Sequence, residues 1–297
     1  MEIRFDIGAE SGHPHLPVLV NGQGPFIFTL DTGATATTIS KSLAEKLGIR
    51  TYEGDKKMAS GVGGGRVPVA FAKVDRLQIG TEVVENEEVL VIDFESAMGG
   101  VCFTAGVIGH SFLKNYVMSV NYPEKRIRLE RTKGASSRRY KNVAWQEFQY
   151  VEDSHLISVP TYINGNGPFH LVVDTGSGGT VITPRIAQQL GFTEDQAVAA
   201  VRVANPTNRG CADGCQGVGG KAQAYGVQID SVSVGPVTQE NTIAAVIDLK
   251  VVSPRGELIR DGIIGYPFMK DLEVIIDYPN RRFAFLRTET ASQSHIR

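Results

Sequence analysis

The chain is poor in cysteine, tryptophan and histidine, and neither sign of charge is in excess. Three cysteines, Cys102, Cys211 and Cys215, are too few for a disulfide framework in 297 residues. Cys211 and Cys215 could close a small loop, but a metal site needs about four ligands and no suitably spaced Cys/His pair stands near them. Two thiols in a surface insertion are therefore expected. Lys+Arg 30 against Asp+Glu 32 removes the electrostatic argument for nucleic acid or an anionic membrane as partner. No apolar run approaches the roughly 18 residues of a helical membrane span. Residues 1–7 alternate like a strand and carry no signal-peptide core, so a cytoplasmic location is expected unless a leader has been removed. The histidines stand in no Ser-His-Asp order, and His13-Pro14-His15 reads as a solvated loop. Neither a metal nor a cofactor is expected.

What the chain does have is a repeat. Asp-Thr-Gly occurs at Asp31-Thr32-Gly33 and again at Asp174-Thr175-Gly176, an offset of 143 (174 − 31). The same offset joins Pro17 to Pro160, Asn21 to Asn164, Gly24-Pro25-Phe26 to Gly167-Pro168-Phe169, and Leu47-Gly48 to Leu190-Gly191. Further on the offset becomes 156. It joins Gly61-Val62-Gly63-Gly64 to Gly217-Val218-Gly219-Gly220, Gly106-Val107-Ile108-Gly109 to Gly262-Ile263-Ile264-Gly265, and Asn121-Tyr122-Pro123 to Asp277-Tyr278-Pro279. The second half has gained 13 residues (156 − 143) between its Asp and its Gly-rich segment. A period this long indicates duplication of a whole lobe and excludes a short-repeat solenoid.

Short apolar runs separated by Gly, Pro and Asn read as mainly β: 16–20, 26–30, 67–74, 89–92, 127–129 and their counterparts. One helix per half is legible. Ser40 caps residues 41–47 with Gly48 ending them, and Thr183 caps a helix begun by Pro184 and ended by Gly191. The Arg/Lys/Ser-rich stretch 131–141 divides the chain into a lobe at 1–134, a linker at 135–141 and a lobe at 142–297. Trp145 is expected in core or interlobe packing.

Each Asp leaves an apolar strand, where its charge must be shared or hydrogen-bonded. Gly33 and Gly176 allow a tight turn whose amides satisfy one carboxylate oxygen, and the hydroxyls of Thr32 and Thr175 can bridge the two turns. A lone Asp-Thr-Gly is an ordinary turn with an Asx-type bond. Two copies at equivalent repeat positions suit a chemistry in which one protonated and one ionised Asp share a water. The Gly-rich segments 61–65 and 217–220 lack the Lys-Ser/Thr of a phosphate loop and read as mobile hairpin tips.

On these motifs the chain resembles the retropepsin-like and pepsin-like aspartic peptidases, and most nearly the bacterial retropepsin-like proteins with two repeats. In those families each half supplies an Asp-Thr-Gly loop, a Gly-rich flap, and a hydrophobic-hydrophobic-Gly motif that supports the Asp loop. The last is matched here by Val107-Ile108-Gly109 and Ile263-Ile264-Gly265. The resemblance implies two β lobes with pseudo-two-fold symmetry around a central cleft. It implies Asp31 and Asp174 as the catalytic pair, supported by Thr32, Gly33, Thr175, Gly176 and Ser177. It implies Gly61, Val62, Gly63 and Gly64 with Gly217, Val218, Gly219 and Gly220 as flaps over a peptide or protein substrate, in a monomer. Viral retropepsins follow the motif with Asp and place Arg after the second Gly motif. Here Thr35 and Gly178, and His110 and Tyr266, hold those places. The pepsin flap tyrosine has no clear counterpart. One asymmetry is expected within the pair: Ser177 can donate to Asp174 and favour its anion, whereas Ala34 cannot do so for Asp31, which would then hold the shared proton.

Overall fold

The protein was analysed as a computed structural model. It describes residues 1–8, 11–53, 58–60, 66–97, 104–131, 138–151, 154–194, 215–217, 220–222, 224–249, 252–253, 256–257 and 259–288.

Each half closes into a six-stranded barrel. In the first, Pro14–Val20, Gln23–Leu30, Gly106–Ile108, Thr38–Ser40, Glu82–Ile92 and Ala70–Ile79 follow one another, and the last pairs back onto the first. In the second the circuit is Ile157–Ile163, Asn166–Val173, Gly262–Ile264, Thr180–Ile182, Val237–Ile247 and Ala224–Val234. Closure begins in the sequence. Asn21-Gly22 and Asn164-Gly165 all have positive φ, as a type I′ hairpin turn requires. Each Asn then reaches the strand that closes its barrel: Asn21 Oδ1 accepts from Arg76 N (3.0 Å) and Asn164 Oδ1 from Ser231 N (3.0 Å). A tight turn and a barrel seam are thus fixed by one residue in each half.

A third sheet belongs to both halves. Its order is Glu2–Arg4, Arg126–Arg131, Tyr116–Asn121, Leu272–Asp277, Arg282–Arg287 and Gln146–Glu147. Three strands come from each half, and the two central ones pair antiparallel with Ser119 opposite Ile275. Those two residues are themselves repeat equivalents (275 − 119 = 156), so the pseudo-two-fold axis passes between them. One apolar core runs through both barrels and onto this sheet, from Leu16 and Phe28 through Met118 to Val274 and Phe285. Trp145 packs on the sheet's edge, against Tyr140 and under the Arg282 guanidinium at 4.3 Å.

The helices Lys41–Lys46 and Pro184–Gln189 stand at equivalent positions, but their caps differ. Ser40 Oγ accepts from Leu43 N at 3.0 Å, as expected. Thr183 makes no side-chain cap; its hydroxyl donates instead to Arg260 O at 2.7 Å. The neighbouring chain offered a better acceptor than the helix offered a donor. Pro184 removes one of the orphan N–H groups that a cap would serve. The run 67–74 divides at Val69 into a hairpin strand, Arg66–Pro68, and the barrel strand Ala70–Ile79. Replacing Ser40 by Ala should cost about 1 kcal/mol, and Thr183→Ala should leave the helix start unchanged. Urea-unfolding midpoints of the two variants, with amide exchange at Leu43 and at Ile186, check this.

Candidate active site

Asp31 and Asp174 each follow the central strand of a barrel, and the hydrophobic-hydrophobic-Gly strand lies parallel beside each. Val107 and Ile108 pair with Thr29 and Leu30, and Ile263 and Ile264 with Val172 and Val173. The carbonyls of Ile108 and Ile264 then accept from the main-chain N–H of Asp31 (3.1 Å) and Asp174 (3.0 Å). The next residue of each motif turns the chain, so that His110 N donates to Ala34 O and Tyr266 N to Ser177 O, both at 2.9 Å. The Asp loops are therefore clamped on both sides by main chain.

The turns bring the two carboxyls face to face, each residue half-buried. Gly33 N donates to Asp31 Oδ1 at 2.7 Å and Gly176 N to Asp174 Oδ1 at 2.8 Å. Each glycine also lies against the opposite carboxyl. A Cβ on Gly33 would sit 2.8 Å from Asp174 Cγ, and one on Gly176 would sit 2.5 Å from Asp31 Cγ. Only glycine lets both acids approach this closely.

Beside the acids the two threonines exchange bonds across the axis. Thr32 Oγ1 donates to Val173 O (2.8 Å) and accepts from Thr175 N (3.1 Å). Thr175 Oγ1 donates to Leu30 O (2.8 Å) and accepts from Thr32 N (3.1 Å). Each hydroxyl has a defined proton direction, because the carbonyl can only accept and the amide can only donate.

Burial is the main force on the carboxyls. It raises Asp31, against bonds from Asp174, Gly33 and Ala34 that favour its charge. It raises Asp174 further, and there the charge of Asp31 adds to the rise. The expected asymmetry through Ser177 does not occur. Ser177 Oγ donates to Gly179 O at 2.9 Å, where the turning chain places a carbonyl nearer than the carboxylate.

An aromatic cluster occupies the place of the viral ion pair. Tyr278 of the second half packs on His110 of the first (5.6 Å), and Tyr122 of the first half packs on Tyr266 of the second (5.7 Å). Phe5 and Phe148, repeat equivalents at offset 143, meet the edges of Tyr122 and Tyr278. Both phenol oxygens are buried without a hydrogen-bond partner among the described residues. Burial drives both phenols upward, with Asp174 adding at Tyr122 and Tyr150, Asp31 and Asp174 at Tyr278. Burial also pushes the His110 imidazole down to about 4, with His155 and Lys114 adding.

The hairpin expected over the acids is seen in its flanks. Met58–Ser60 pairs with Arg66–Pro68 in the first half, and Cys215–Gly217 with Gly220–Ala222 in the second. Gly217 faces Gly220 at the end of that ladder. Gly61, Val62, Gly63 and Gly64, with Val218 and Gly219, lie outside the described residues, as do Cys102, Cys211 and most of the 13-residue gain. A separate surface cavity of about 570 Å³, lined by Phe26, Lys41, Asp93 and Thr104 among others, does not include the acids.

Sequence reasoning gave no role to Tyr122, Tyr278 or His155. The tyrosines were visible as repeat matches, and their apolar surroundings were the missing information. The signal for His155 was a mismatch: offset 143 places it opposite Gly12 (155 − 12).

Two barrels, a shared sheet and a paired Asp-Thr-Gly turn define a two-lobed acid-protease fold. The chain belongs to the aspartyl protease family, whose model matches residues 16–112 and 159–268. Among solved structures it is similar to basic 7S globulin from soybean, at 10% identity and a TM-score of 0.51, with 99% of this chain and 96% of that chain covered. A retropepsin-like aspartic protease from Rickettsia conorii is 21% identical, with a TM-score of 0.32, over 43% of this chain and 89% of that one. No curated protein matches the chain by sequence.

Thr32→Val strips Val173 O and Thr175 N of a buried partner. At roughly 1–3 kcal/mol for each buried group left unpaired, the loss should be at least about 2 kcal/mol. Thr32→Ser should recover most of it, and urea unfolding of the three proteins measures the difference.

Proposed function

We propose that the protein is an aspartic endopeptidase whose active site is formed by its own two lobes. The observation that carries this reading is the face-to-face approach of two carboxyls, one from each half, each against the other's turn glycine and held by reciprocal threonines. Two such groups share one proton, because burial and their mutual repulsion oppose a second charge. That single arrangement supplies both halves of a peptide hydrolysis. The ionised carboxylate takes a proton from water as its oxygen attacks the peptide carbonyl carbon. The protonated carboxyl gives its proton to the carbonyl oxygen, forming a neutral tetrahedral diol. The diol collapses as the C–N bond breaks, and a proton passes to the leaving nitrogen. The products are an acid and an amine, and the pair again holds one proton.

The substrate is a peptide or protein segment bound extended across the cleft, its main chain pairing with the hairpins that flank residues 61–65 and 218–219. Closure of those hairpins would exclude water and align the scissile bond. One chain contains both acids, so a monomer suffices.

The rate should follow a bell in pH. It rises as the pair loses its first proton and falls as it loses the second. Both carboxyls are raised by burial, so the bell should extend above the ordinary carboxylate range. Asp31→Asn and Asp174→Asn should each abolish cleavage of a diverse peptide library while leaving the unfolding midpoint nearly unchanged. Cleavage at wild-type rate by either variant overturns the shared-proton mechanism. A wild type that binds library peptides across this pH range without cutting them is a binding module.

A further inference from the structure

We propose that His155 is a positioning residue that makes the acid pair unequal, fixing Asp31 as the carboxylate and Asp174 as the holder of the shared proton. The assignment of base and acid roles rests on the endopeptidase reading; the inequality itself does not.

The geometry is a short relay. His155 Nε2 lies 2.8 Å from the Gly33 carbonyl oxygen. That oxygen can only accept, so Nε2 carries the hydrogen. The Gly33 carbonyl and the Ala34 N–H belong to one peptide unit. The Ala34 N–H faces Asp31, making a long bond to its main-chain oxygen (3.4 Å) and helping to stabilise its carboxylate. A donor placed on the carbonyl of a peptide strengthens the N–H at its other end, because hydrogen bonds in a chain polarise one another. The imidazole thus favours the Asp31 anion without touching either carboxyl.

Among the described residues nothing equivalent acts on Asp174. The repeat equivalent of His155 is Gly12, which has no side chain to offer. The space is not free for one, since a Cβ on Gly12 would collide with the Tyr266 ring. Asp174 has the Gly176 amide and is also favoured by the Gly33 amide, but among the described residues no imidazole stands behind its turn. The direction agrees with the surroundings: Asp174 is driven well above the usual carboxylate range by burial and by the charge of Asp31.

His155 is suited to act as a neutral donor. Among the described residues two titratable groups face it: the His110 ring, 5.6 Å away on the helix His110–Leu113, and Asp31 on its turn. His110 in turn meets Tyr150 and Tyr278. Burial pushes the His155 imidazole down, while the Gly33 carbonyl and Asp31 pull it back up. The neutral ring still presents one N–H, and that N–H is the one aimed at Gly33.

The test reads the carboxyls directly. The full-length protein, labelled with ¹³C at the aspartate carboxyls, is titrated by NMR, with Asp31→Asn and Asp174→Asn used for assignment. In the wild type, the first ionisation of the pair should appear mainly at Asp31; a first step centred on Asp174 overturns the inference. His155→Leu removes the donor and should raise the first apparent pKa of the pair by ~0.5–1 unit. His155→Gln keeps a neutral N–H donor and should leave that pKa close to the wild type. A folded Leu variant with an unmoved titration, or a Gln variant displaced as far as Leu, also overturns it. The wild-type ionisation order decides the matter even if His155→Leu does not fold. Peptide cleavage is followed in parallel. The predicted titration without turnover refutes the endopeptidase reading alone, and turnover with an unmoved titration refutes this inference alone.

Discussion

Two acids of the same sign, side by side and half-buried, repel each other whenever both are charged. They remain there because neutral groups fix the chain on which they sit. Gly33 and Gly176 donate to them, Ile108 and Ile264 tie down their main chain, and Thr32 and Thr175 lock one turn to the other. Each of these bonds is made without adding a charge beside the pair. The rest of the fold follows from the need to present two such turns face to face. Each barrel carries one turn, and the shared sheet sets the barrels in register about the axis between Ser119 and Ile275.

Beside the acid loops the contact between halves is aromatic where a subunit interface of the viral kind uses an ion pair; an ion pair that does join the halves, Arg128 with Glu273, lies in the shared sheet. His110 against Tyr278 and Tyr266 against Tyr122 are crossed pairs, each joining one half to the other. An ion pair brings free subunits into register and selects partners. Joined halves meet at high effective concentration and need no such selection. Aromatic packing then suffices to seat one half on the other beside the acid loops.

The repeat carried most of the fold. Paired motifs at two constant offsets located both Asp turns, both supporting strands and both helices, because each depends on a few residues close in sequence. Other features were less legible for physical reasons. Glu82–Ile92 was seen only as its last four residues, since its first half is at most half-buried, with Glu85, Asn86 and Glu88 exposed. Tyr116–Asn121 gave no strand signal of its own. All six of its residues are buried, so the alternation that marks a half-exposed strand is missing. The Ser177 hydroxyl and the Thr183 cap were misread for one reason. A short polar side chain takes the nearest acceptor: Gly179 O is placed by the turn two residues on, and Arg260 O is brought near only by the folded chain. Nor could His155 be placed, because its partner Gly33 lies 122 residues away.

The six-stranded sheet under the cleft also has a mechanical meaning. Its two middle strands belong to different halves and are stitched along five residue pairs, from Val117 with Asp277 to Asn121 with Glu273. Swinging the barrels apart like jaws would shear that ladder and expose the buried faces of both strands. The backbone beneath the acids is therefore a rigid spine and not a hinge. Whatever enters between the lobes must therefore do so without parting that floor.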